Sequence, residues 1–465
     1  MNSPENRPTP PNPGPAQVQV PNRTGSHDQL LIRNGWVVSV DSAVGVKRAD
    51  ILIDGELIAA IGPGLSAPGA QVIDASERIV LPGFVDAHRH TWQSAIRHIG
   101  GDWDLNGYFG EVFFGLGARY RPEDVYAGNL IGRLAALDAG VTTMLDWSHI
   151  QNSPAHSDAA VEGLTDAGGR SVFAYGWPQT DPGSWISEST LTVPEDIARV
   201  RRDLLPQDTG LVTMAMAVRG PEFSTREVTR HDVEIARELG LRMTFHAGDG
   251  DYGPKYRAIA ALAEDGLLGP DMTFVHASTS SDDELRLIAQ AGASAAVSPY
   301  IEMVMPGLGM PATSRLLAAG VRPALSADSE TAAPGDLFNQ MRAALAAGRL
   351  IHDNALQDGA LGRPSVADVL SLATLDGART LGMADRIGSI TVGKQADLVL
   401  LRSDDVSIAP VYDPVGAAVI GGHPGLVDSV LVAGRFVKKD GQLLDPSNRA
   451  ARLALESQQY LLGGR

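Results

Sequence analysis

The chain has 465 residues, of which 44% are hydrophobic, enough for one large domain with a sizeable core and a smaller second domain. Its 38 basic and 55 acidic residues give a net charge of −17, which argues against nucleic acid and anionic membrane surfaces as partners. The absence of cysteine excludes disulfides, thiolate nucleophiles and cysteine-ligated zinc, so any metal must be held by histidine, aspartate or glutamate.

The first 29 residues contain seven prolines and few large apolar side chains, a composition that predicts a disordered tail. They lack the apolar core of a secretory signal, and no apolar run in the sequence approaches the length of a membrane span. We therefore predict a cytoplasmic protein that has no membrane partner.

Short β segments, separated by glycines and Asp-Gly turns, occur at both ends of the chain. Residues 30–80 include LLIRNGWVVSV and ADILIDGELIAAIG, and residues 384–445 include GSITVGKQADLVLLR. The β-rich segments at the two ends of the chain therefore flank a middle region with a different sequence pattern.

The middle, residues 81–383, alternates short apolar strands with segments of helical periodicity. The strand candidates are, in order, GFVDAH, VTTMLDW, SVFAYG, VTMAMAVRG, RMTFHAG, MTFVHAS, SAAVSP and RPALSADS. Residues 122–139 predict one of the helices, with Pro122 in its first turn and Gly140 at its end. Eight strands alternating with helices over this length predict an α/β fold of the (β/α)8 TIM barrel type.

Histidines and one aspartate recur at the ends of these predicted strands. His88 and His90 end the first strand and point to the same side, because side chains alternate along a strand. His246, His276 and Asp328 end the fifth, sixth and eighth strands. All strand ends meet at one mouth of a barrel, and imidazole and carboxylate bind divalent metals, so we predict a metal site. Taken alone, the first pair could equally be histidines hydrogen-bonded within a strand terminus.

The motifs PGFVDAHRH, HAG, VHAS, SAD and GSITVGKQADLVLL resemble the amidohydrolase superfamily, over residues 30 to about 445. The resemblance is to the branch that contains cytosine deaminase, guanine deaminase and the s-triazine chlorohydrolases and aminohydrolases. It implies a metal-dependent barrel at residues 81–383 and a small β-sandwich built from residues 30–80 and 384–445. Residues 446–465 would follow as a C-terminal helix or tail.

The resemblance also implies roles for the strand-end residues. His88, His90, His246 and Asp328 would bind a divalent metal, with zinc expected and iron as the alternative. Asp328 would take a proton from the metal-activated water, and His276 would donate a hydrogen bond to the tetrahedral adduct. Relatives with two metals bridge them through a lysine near the fourth strand. No lysine of this sequence falls there, so one metal per chain is predicted; the lysines are Lys47, Lys255, Lys394, Lys438 and Lys439.

The sequence departs from these relatives beside the fifth-strand histidine. Where they have a glutamate that protonates the leaving amine, the motif HAGD has Asp249, which is one methylene shorter. We predict that Asp249 takes this role, with Glu222 and Glu302 as reserve carboxylates that would contact the substrate. A helix cap or a solvated acid is the alternative for each. Beside Asp328, where many relatives have a second aspartate, this chain has Ser329.

Aromatic and polar residues after the first two strands are candidates for the wall of a substrate pocket. Trp92, Gln93 and His149 are predicted to contact the substrate, since rings suit a flat heterocycle and an amide supplies polarity. Loop packing is the preferred interpretation for Trp103 and Phe109, and His149 could instead support the metal site.

These observations predict a hydrolase of carbon–nitrogen bonds outside peptides, which deaminates an amino-substituted N-heterocycle. Displacement of chloride or alkylamine from a triazine-like ring, or hydrolysis of a cyclic amide or carbamate, is the alternative chemistry. A non-catalytic scaffold is a remote alternative, because such proteins usually lose metal ligands. Relatives are commonly homodimers or homotetramers, and the resemblance implies one of these states.

Overall fold

The protein is described here by a computed structural model that covers residues 29–354, 363–444 and 447–463. The tail predicted at residues 1–29 lies outside this range, except for Gln29, which opens the first strand. The strands are β1 (Gln29–Val38), β2 (Val46–Asp54), β3 (Leu57–Gly62), β4 (Gln71–Asp74), β5 (Arg78–Pro82), β6 (Phe84–Arg89), β7 (Val141–Ser148), β8 (Arg170–Tyr175), β9 (Val212–Val218), β10 (Met243–Ala247), β11 (Met272–His276), β12 (Ser294–Val297), β13 (Ala324–Leu325), β14 (Leu398–Arg402), β15 (Val427–Val432), β16 (Arg435–Lys439) and β17 (Gln442–Leu443).

Helices connect most of the strands of the middle region. They are α1 (Leu105–Tyr108), α2 (Pro122–Asp138), α3 (Pro154–Asp166), α4 (Pro182–Ile186), α5 (Asp196–Arg199), α6 (Arg226–Glu238), α7 (Tyr252–Tyr256), α8 (Ala258–Glu264), α9 (Asp282–Ala291), α10 (Pro299–Val304), α11 (Thr313–Ala318), α12 (Leu337–Asn354), α13 (Val366–Leu372), α14 (Leu375–Thr380), α15 (Pro414–Gly416) and α16 (Ser447–Leu462). In the part of the chain that the structure describes, none of the helices has the length and apolarity needed to cross a lipid bilayer.

Strands β6 to β13 form one parallel sheet in which each strand pairs with the next along the chain. Every residue of β6, β7 and β8 is buried, as expected for parallel strands covered by helices on the outside. An isolated parallel bridge between Arg89 and Asp328 brings the last strand back to the first. The predicted TIM barrel is confirmed.

The other nine strands within the described residues form a second sheet, to which both ends of the chain contribute. Strands β5 and β14 pair antiparallel, with Leu81 opposite Val399, and this pairing joins the N-terminal part of the sheet to the C-terminal part. The sheet is mixed, because β1 runs parallel to β4 and β5. Its apolar residues form a core of their own beside the barrel core. The prediction of a small β domain built from both chain ends is confirmed.

Helix α2 fixes the backbone directly after the first barrel strand. Gly128 lets the helix lie against the segment Thr91–Ile96, because a Cβ atom at this position would come within 2.3 Å of the Trp92 carbonyl oxygen. The contact is therefore backbone against backbone, and it holds the segment that follows His90 in a single position.

The barrel closes through the backbone of the predicted metal ligands. The Asp328 N–H donates to the His88 carbonyl at 3.0 Å, and the His90 N–H donates to the Asp328 carbonyl at 3.2 Å. The first and last strands thus meet at these three residues, and the same hydrogen bonds that complete the sheet set the spacing of their side chains.

A buried ion pair clamps this closure from behind. Arg89 points away from the two histidines that flank it, and its Nε donates to Asp86 at 2.9 Å. The other carboxylate oxygen of Asp86 accepts the N–H of Ala327, which lies in the loop after the last barrel strand, at 3.1 Å. Burial raises the pKa of Asp86, whereas for Arg89 the charges of Asp86 and Glu330 outweigh burial and raise its pKa. Arg89 is therefore a permanent cation that depends on these two carboxylates.

We expect Asp86→Ala to destabilise the fold by about 3–5 kcal/mol, because it removes the carboxylate 2.9 Å from the buried Arg89 charge and leaves Glu330 at 3.9 Å. Chemical denaturation of metal-stripped wild type and variant would measure the free energy of unfolding without a contribution from metal binding. The exposed Glu238→Ala serves as the control and should change it by less than about 0.5 kcal/mol. Equal unfolding free energies for Asp86→Ala and wild type would show that the clamp contributes nothing.

Candidate metal centre

The structure brings the five predicted strand-end side chains together at the C-terminal mouth of the barrel. The His88 ring lies 4.7 Å from that of His90, 4.9 Å from that of His246 and 5.9 Å from that of His276, measured between centroids. Asp328 follows β13, which neighbours β6 at the closure of the barrel, and its Oδ1 lies 3.3 Å from Nε2 of both His88 and His90. Residues far apart in the sequence therefore form one cluster, which the positions of the strand ends dictate.

The donor atoms of this cluster have the spacing of metal ligands. Two groups of three donors, each within 4.8 Å of one another, share His88: one with His90 and Asp328, the other with His246 and His276. Two ligands of one tetrahedral zinc ion, each about 2.1 Å from it, lie roughly 3.4 Å apart. The 3.3 Å separations match this value, so the cluster can hold a divalent metal.

Unpartnered nitrogens support this fit. Nδ1 of His88 is buried without a hydrogen-bond partner among the described residues, and its Nε2 faces the Asp328 carboxylate at 3.3 Å. His90 contacts the Trp147 carbonyl through Nδ1 at 3.3 Å, which leaves its Nε2 directed toward Asp328. Buried imidazole nitrogens are costly when unpaired, and a backbone carbonyl on the second nitrogen is the usual support of a metal-bound histidine.

The electrostatics favour the ligand forms of these groups. Burial lowers the pKa of His88, and burial together with neighbouring imidazoles lowers the pKa values of His90 and His246 further. Burial alone would raise the pKa of Asp328, but hydrogen bonding to His88 and the charge of His276 outweigh it and hold that pKa below its usual range. Neutral imidazoles beside an ionised carboxylate are the forms that bind a metal.

Two of the clustered residues have a strained backbone. His276 has a φ of 69° and Asp328 a φ of 61°, in the left-handed region that residues with a Cβ atom rarely adopt. For Asp328, the two closure hydrogen bonds of the barrel hold this conformation in place. Such strain costs on the order of 1–3 kcal/mol per residue and concentrates at functional sites.

Glu302 orients His276. Its Oε1 accepts from the Ser298 N–H at 2.8 Å and lies 3.0 Å from His276 Nδ1. Burial alone would lower the pKa of His276, but the charge of Asp249 and the bond to Glu302 outweigh it and raise the pKa to about 10. A protonated His276 then keeps a hydrogen on Nε2, which lies 3.6 Å from Asp328 Oδ2. Glu302, expected as a reserve carboxylate toward the substrate, acts on the histidine instead.

Asp249 and Glu222 form a buried pair of acids. Glu222 Oε1 accepts the N–H of Gly248, directly before Asp249, at 2.7 Å. Burial raises the pKa of Asp249 to about 6, and burial together with the Asp249 charge raises that of Glu222 well above its usual range. Asp249 borders the central cavity, whereas Glu222, the other expected reserve carboxylate, lies behind it. Asp249 can therefore carry a proton to a bound molecule.

The other predicted substrate contacts, Trp92, Gln93 and His149, have partners within the protein. Trp92 packs its ring on Tyr120 at 4.8 Å, and His149 places Nδ1 3.3 Å from the Trp147 carbonyl with its ring 4.5 Å from that of His90. Gln93 is fully buried, accepts from the Ser329 hydroxyl at 2.5 Å and donates to the Tyr108 hydroxyl at 2.7 Å. Among the described residues, Trp92, Gln93, His149, Glu222 and Glu302 are absent from the cavity lining. Gln93, His149 and Glu302 contact residues that do line it.

The cavity above the cluster encloses about 530 Å³ of space, part of which is open to solvent. Its polar lining residues are His90, His246, Asp249, His276, Asp328 and Ser329. Its other lining residues are Leu105, Tyr108, Phe109, Phe113, Trp177, Ile186, Phe223, Ile301, Met305 and Leu308. Most of this second set was not singled out from the sequence, because these residues come from the segments after four different strands, and no pattern along the chain shows that these segments meet. The sequence indicates these lining residues only in that apolar residues follow the strand ends.

The sequence and the structure both match known proteins. The model of the amidohydrolase family matches residues 79–437. A 5-methylthioadenosine/S-adenosylhomocysteine deaminase of Pyrococcus abyssi (strain GE5 / Orsay) is 25% identical over 428 residues, which cover 89% of this chain and 95% of that protein.

Two solved structures have a similar fold. An adenosine deaminase from Xanthomonas campestris with bound zinc has a TM-score of 0.80 and 23% identity, and covers 93% of this chain and 98% of its own. An atrazine chlorohydrolase from Arthrobacter aurescens TC1, complexed with zinc, has a TM-score of 0.81 and 22% identity, and covers 93% and 100%. At these identities the likeness establishes the fold.

Proposed function

This chain belongs to the amidohydrolase family and is a hydrolase, and we propose that it uses one divalent metal to deaminate an amino-substituted N-heterocycle. One observation carries the proposal. Two donor groups that share His88, one with His90 and Asp328 and the other with His246 and His276, lie at the base of an aromatic cavity that Asp249 also borders. The related deaminase of Pyrococcus abyssi is named for substrates that carry an aminated heterocycle, which supports the same reaction class.

The metal would be held by His88, His90, His246 and Asp328, and zinc is proposed because nitrogen and carboxylate donors at this spacing suit it. None of the five lysines, all of which are described, ends β9, which supports a single metal. When bound, the metal would act as a Lewis acid that lowers the pKa of water to about 7.

Asp328 is the proposed acceptor of the proton that water loses as it attacks the ring carbon. Its depressed pKa keeps it ionised, and its Oδ2 faces the Nε2 of His276. His276, protonated and fixed by Glu302, would donate a hydrogen bond to the tetrahedral adduct. Asp328 therefore handles the proton of the nucleophile, and His276 stabilises the charge that develops.

Asp249 is the proposed acid for the leaving group. An amine departs readily only after it gains a proton, and the raised pKa of Asp249 lets it carry one near neutral pH. Glu222 holds the backbone next to Asp249 and keeps this shorter side chain at the edge of the cavity. A buried, protonatable acid at this point favours an amine over chloride as the group displaced.

The reaction is tested by incubating metal-loaded protein with aminated, chlorinated and amide-bearing heterocycles and identifying the products by mass spectrometry. Exchange of an amino group for a hydroxyl supports the proposal. Release of chloride, or ring opening with gain of water, would assign a different reaction to the same site. Absence of any product would favour the scaffold alternative if the protein also lacks bound metal.

We expect His88→Ala to reduce bound metal from about one per chain to below roughly one tenth, because His88 belongs to both donor groups. Elemental analysis after dialysis against zinc would measure it. His231→Ala, on the exposed side of α6, serves as the control and should keep full metal content. A His88→Ala protein that retains a full equivalent of metal would place the metal elsewhere.

A cytoplasmic location and a homodimer or homotetramer stay predictions. Analytical ultracentrifugation of the metal-loaded protein would determine the oligomeric state.

A further inference from the structure

We propose that the cavity selects a neutral N-heterocycle with hydrocarbon substituents and discriminates against nucleosides. This inference rests on the proposed deaminase function and specifies its substrate. It is carried by the uneven distribution of polar groups along the cavity wall.

The wall above the metal cluster is hydrocarbon. Tyr108, Phe109 and Phe113 form an interlocking group, with ring centroids 4.9 to 6.0 Å apart. Leucine, isoleucine, methionine and aromatic side chains from other loops complete this part of the cavity. Within the described residues, lysine, arginine, glutamate, asparagine and glutamine side chains are all absent from the lining.

The polar groups lie at one end, and most of them already have partners. His90, His246 and Asp328 belong to the proposed metal site. The Ser329 hydroxyl donates to Gln93 at 2.5 Å and lies 2.6 Å from the Thr331 hydroxyl.

The Tyr108 hydroxyl accepts from Gln93 at 2.7 Å, and its own O–H can still donate. His276 and Asp249 are assigned to the reacting carbon and its leaving group, which leaves the Tyr108 O–H as the further donor for a substrate among the described lining residues. The polar end of the cavity can recognise the aminated edge of a ring and little else.

A sugar would therefore lie against hydrocarbon. Each buried hydroxyl that loses its water without gaining a partner lowers affinity by a factor of roughly 10 to 100. Alkyl groups of the same size would gain from burial in the same place. The polar side chains of Glu188, Asp251 and Lys255 line a separate depression, which shares only Ile186 with the cavity.

The test compares rings that carry an alkyl group with the same rings that carry a hydroxylated substituent. One pair is 9-butyladenine and 5′-deoxyadenosine, and the other is N-butylmelamine and N-(2,3-dihydroxybutyl)melamine. The melamine pair differs only in hydroxyl groups, and the adenine pair compares an alkyl chain with a 5-deoxyribose. On metal-loaded protein, kcat/KM for the butyl member should exceed that of its hydroxylated partner at least 100-fold for any ring that is deaminated. Equal or higher kcat/KM for the hydroxylated members would overturn the inference and leave the deaminase function standing.

Calorimetry of the same ligands separates the two proposals. If amino groups are not released but the butyl members bind at least 100-fold more tightly, the proposed reaction fails and the selectivity stands. If the butyl members do not bind, or bind no better than their partners, the selectivity fails.

A matched pair of variants locates the effect. Phe113→Gln puts an amide into the wall and should narrow the preference for the butyl members about tenfold. Phe114→Gln makes the same change on the adjacent side chain, which is 58% exposed, and should leave the preference as in wild type. Identical preferences in both variants and wild type would contradict the role assigned to the wall.

Discussion

Replacing Asp328 by asparagine is expected to lower kcat by about 10³- to 10⁴-fold. Asparagine keeps the shape of the side chain and can still offer an oxygen to a metal, but it cannot accept the proton that water loses. The backbone of residue 328 should keep its place, because its hydrogen bonds to His88 and His90 do not involve the side chain. Steady-state rates, divided by the bound metal measured in the same samples, isolate the chemical step from metal loss.

Asp336→Asn is a suitable control for this experiment. Asp336 is also a buried carboxylate near the same mouth, but it accepts from Asn339 at the start of α12 and is absent from the described cavity lining. Its rate per bound metal should stay within about threefold of wild type. An Asp328→Asn protein that retains more than a tenth of the wild-type rate per metal would rule out Asp328 as the proton acceptor.

Asp249→Asn should reduce kcat/KM for deamination by about 10²- to 10³-fold, because the amine then leaves without a proton donor. Asp249→Glu should recover much of this loss, because it restores a carboxylic acid at the edge of the cavity, on a side chain that is one methylene longer. Rates for the two variants on one aminated substrate, compared with wild type, measure the contribution of the acid.

A chlorinated analogue of the same ring supplies the control. Chloride needs no proton to depart, so Asp249→Asn should affect any dechlorination by less than about tenfold. A similar loss on both leaving groups would assign Asp249 a role in holding the ring. An unchanged deamination rate in Asp249→Asn would transfer the acid role to another group.

The cluster at the mouth of the barrel was predictable because it depends on local rules. Alternation along a strand places His88 and His90 on one side, and parallel strands bring their C-terminal ends together. The structure puts both histidines beside Asp328 at 3.3 Å, as these rules require. The repeated strand and helix patterns predicted the barrel for the same reason.

The cavity wall depends on contacts that local rules do not contain. Whether Gln93 faces a substrate or the protein is decided by Ser329, which is 236 residues away in the sequence. The sequence likewise does not indicate that Glu302 lies 3.0 Å from His276 Nδ1. Phe113 lies in the helical segment Phe109–Leu116 and Phe223 in a turn after β9, so their convergence on one cavity follows from the packing of these segments and not from any pattern within them.

The closure of the barrel at its own proposed ligands links metal supply to the lifetime of the protein. A metal bound by His88, His90 and Asp328 would cross-link the first strand to the last, at the point where a few backbone hydrogen bonds complete the ring. Ligands that bind only the native state stabilise it in proportion to the logarithm of their concentration over Kd. Without metal, the barrel would open more often at this closure and proteases would cleave the chain sooner. The amount of the protein in a metal-starved cell would then fall.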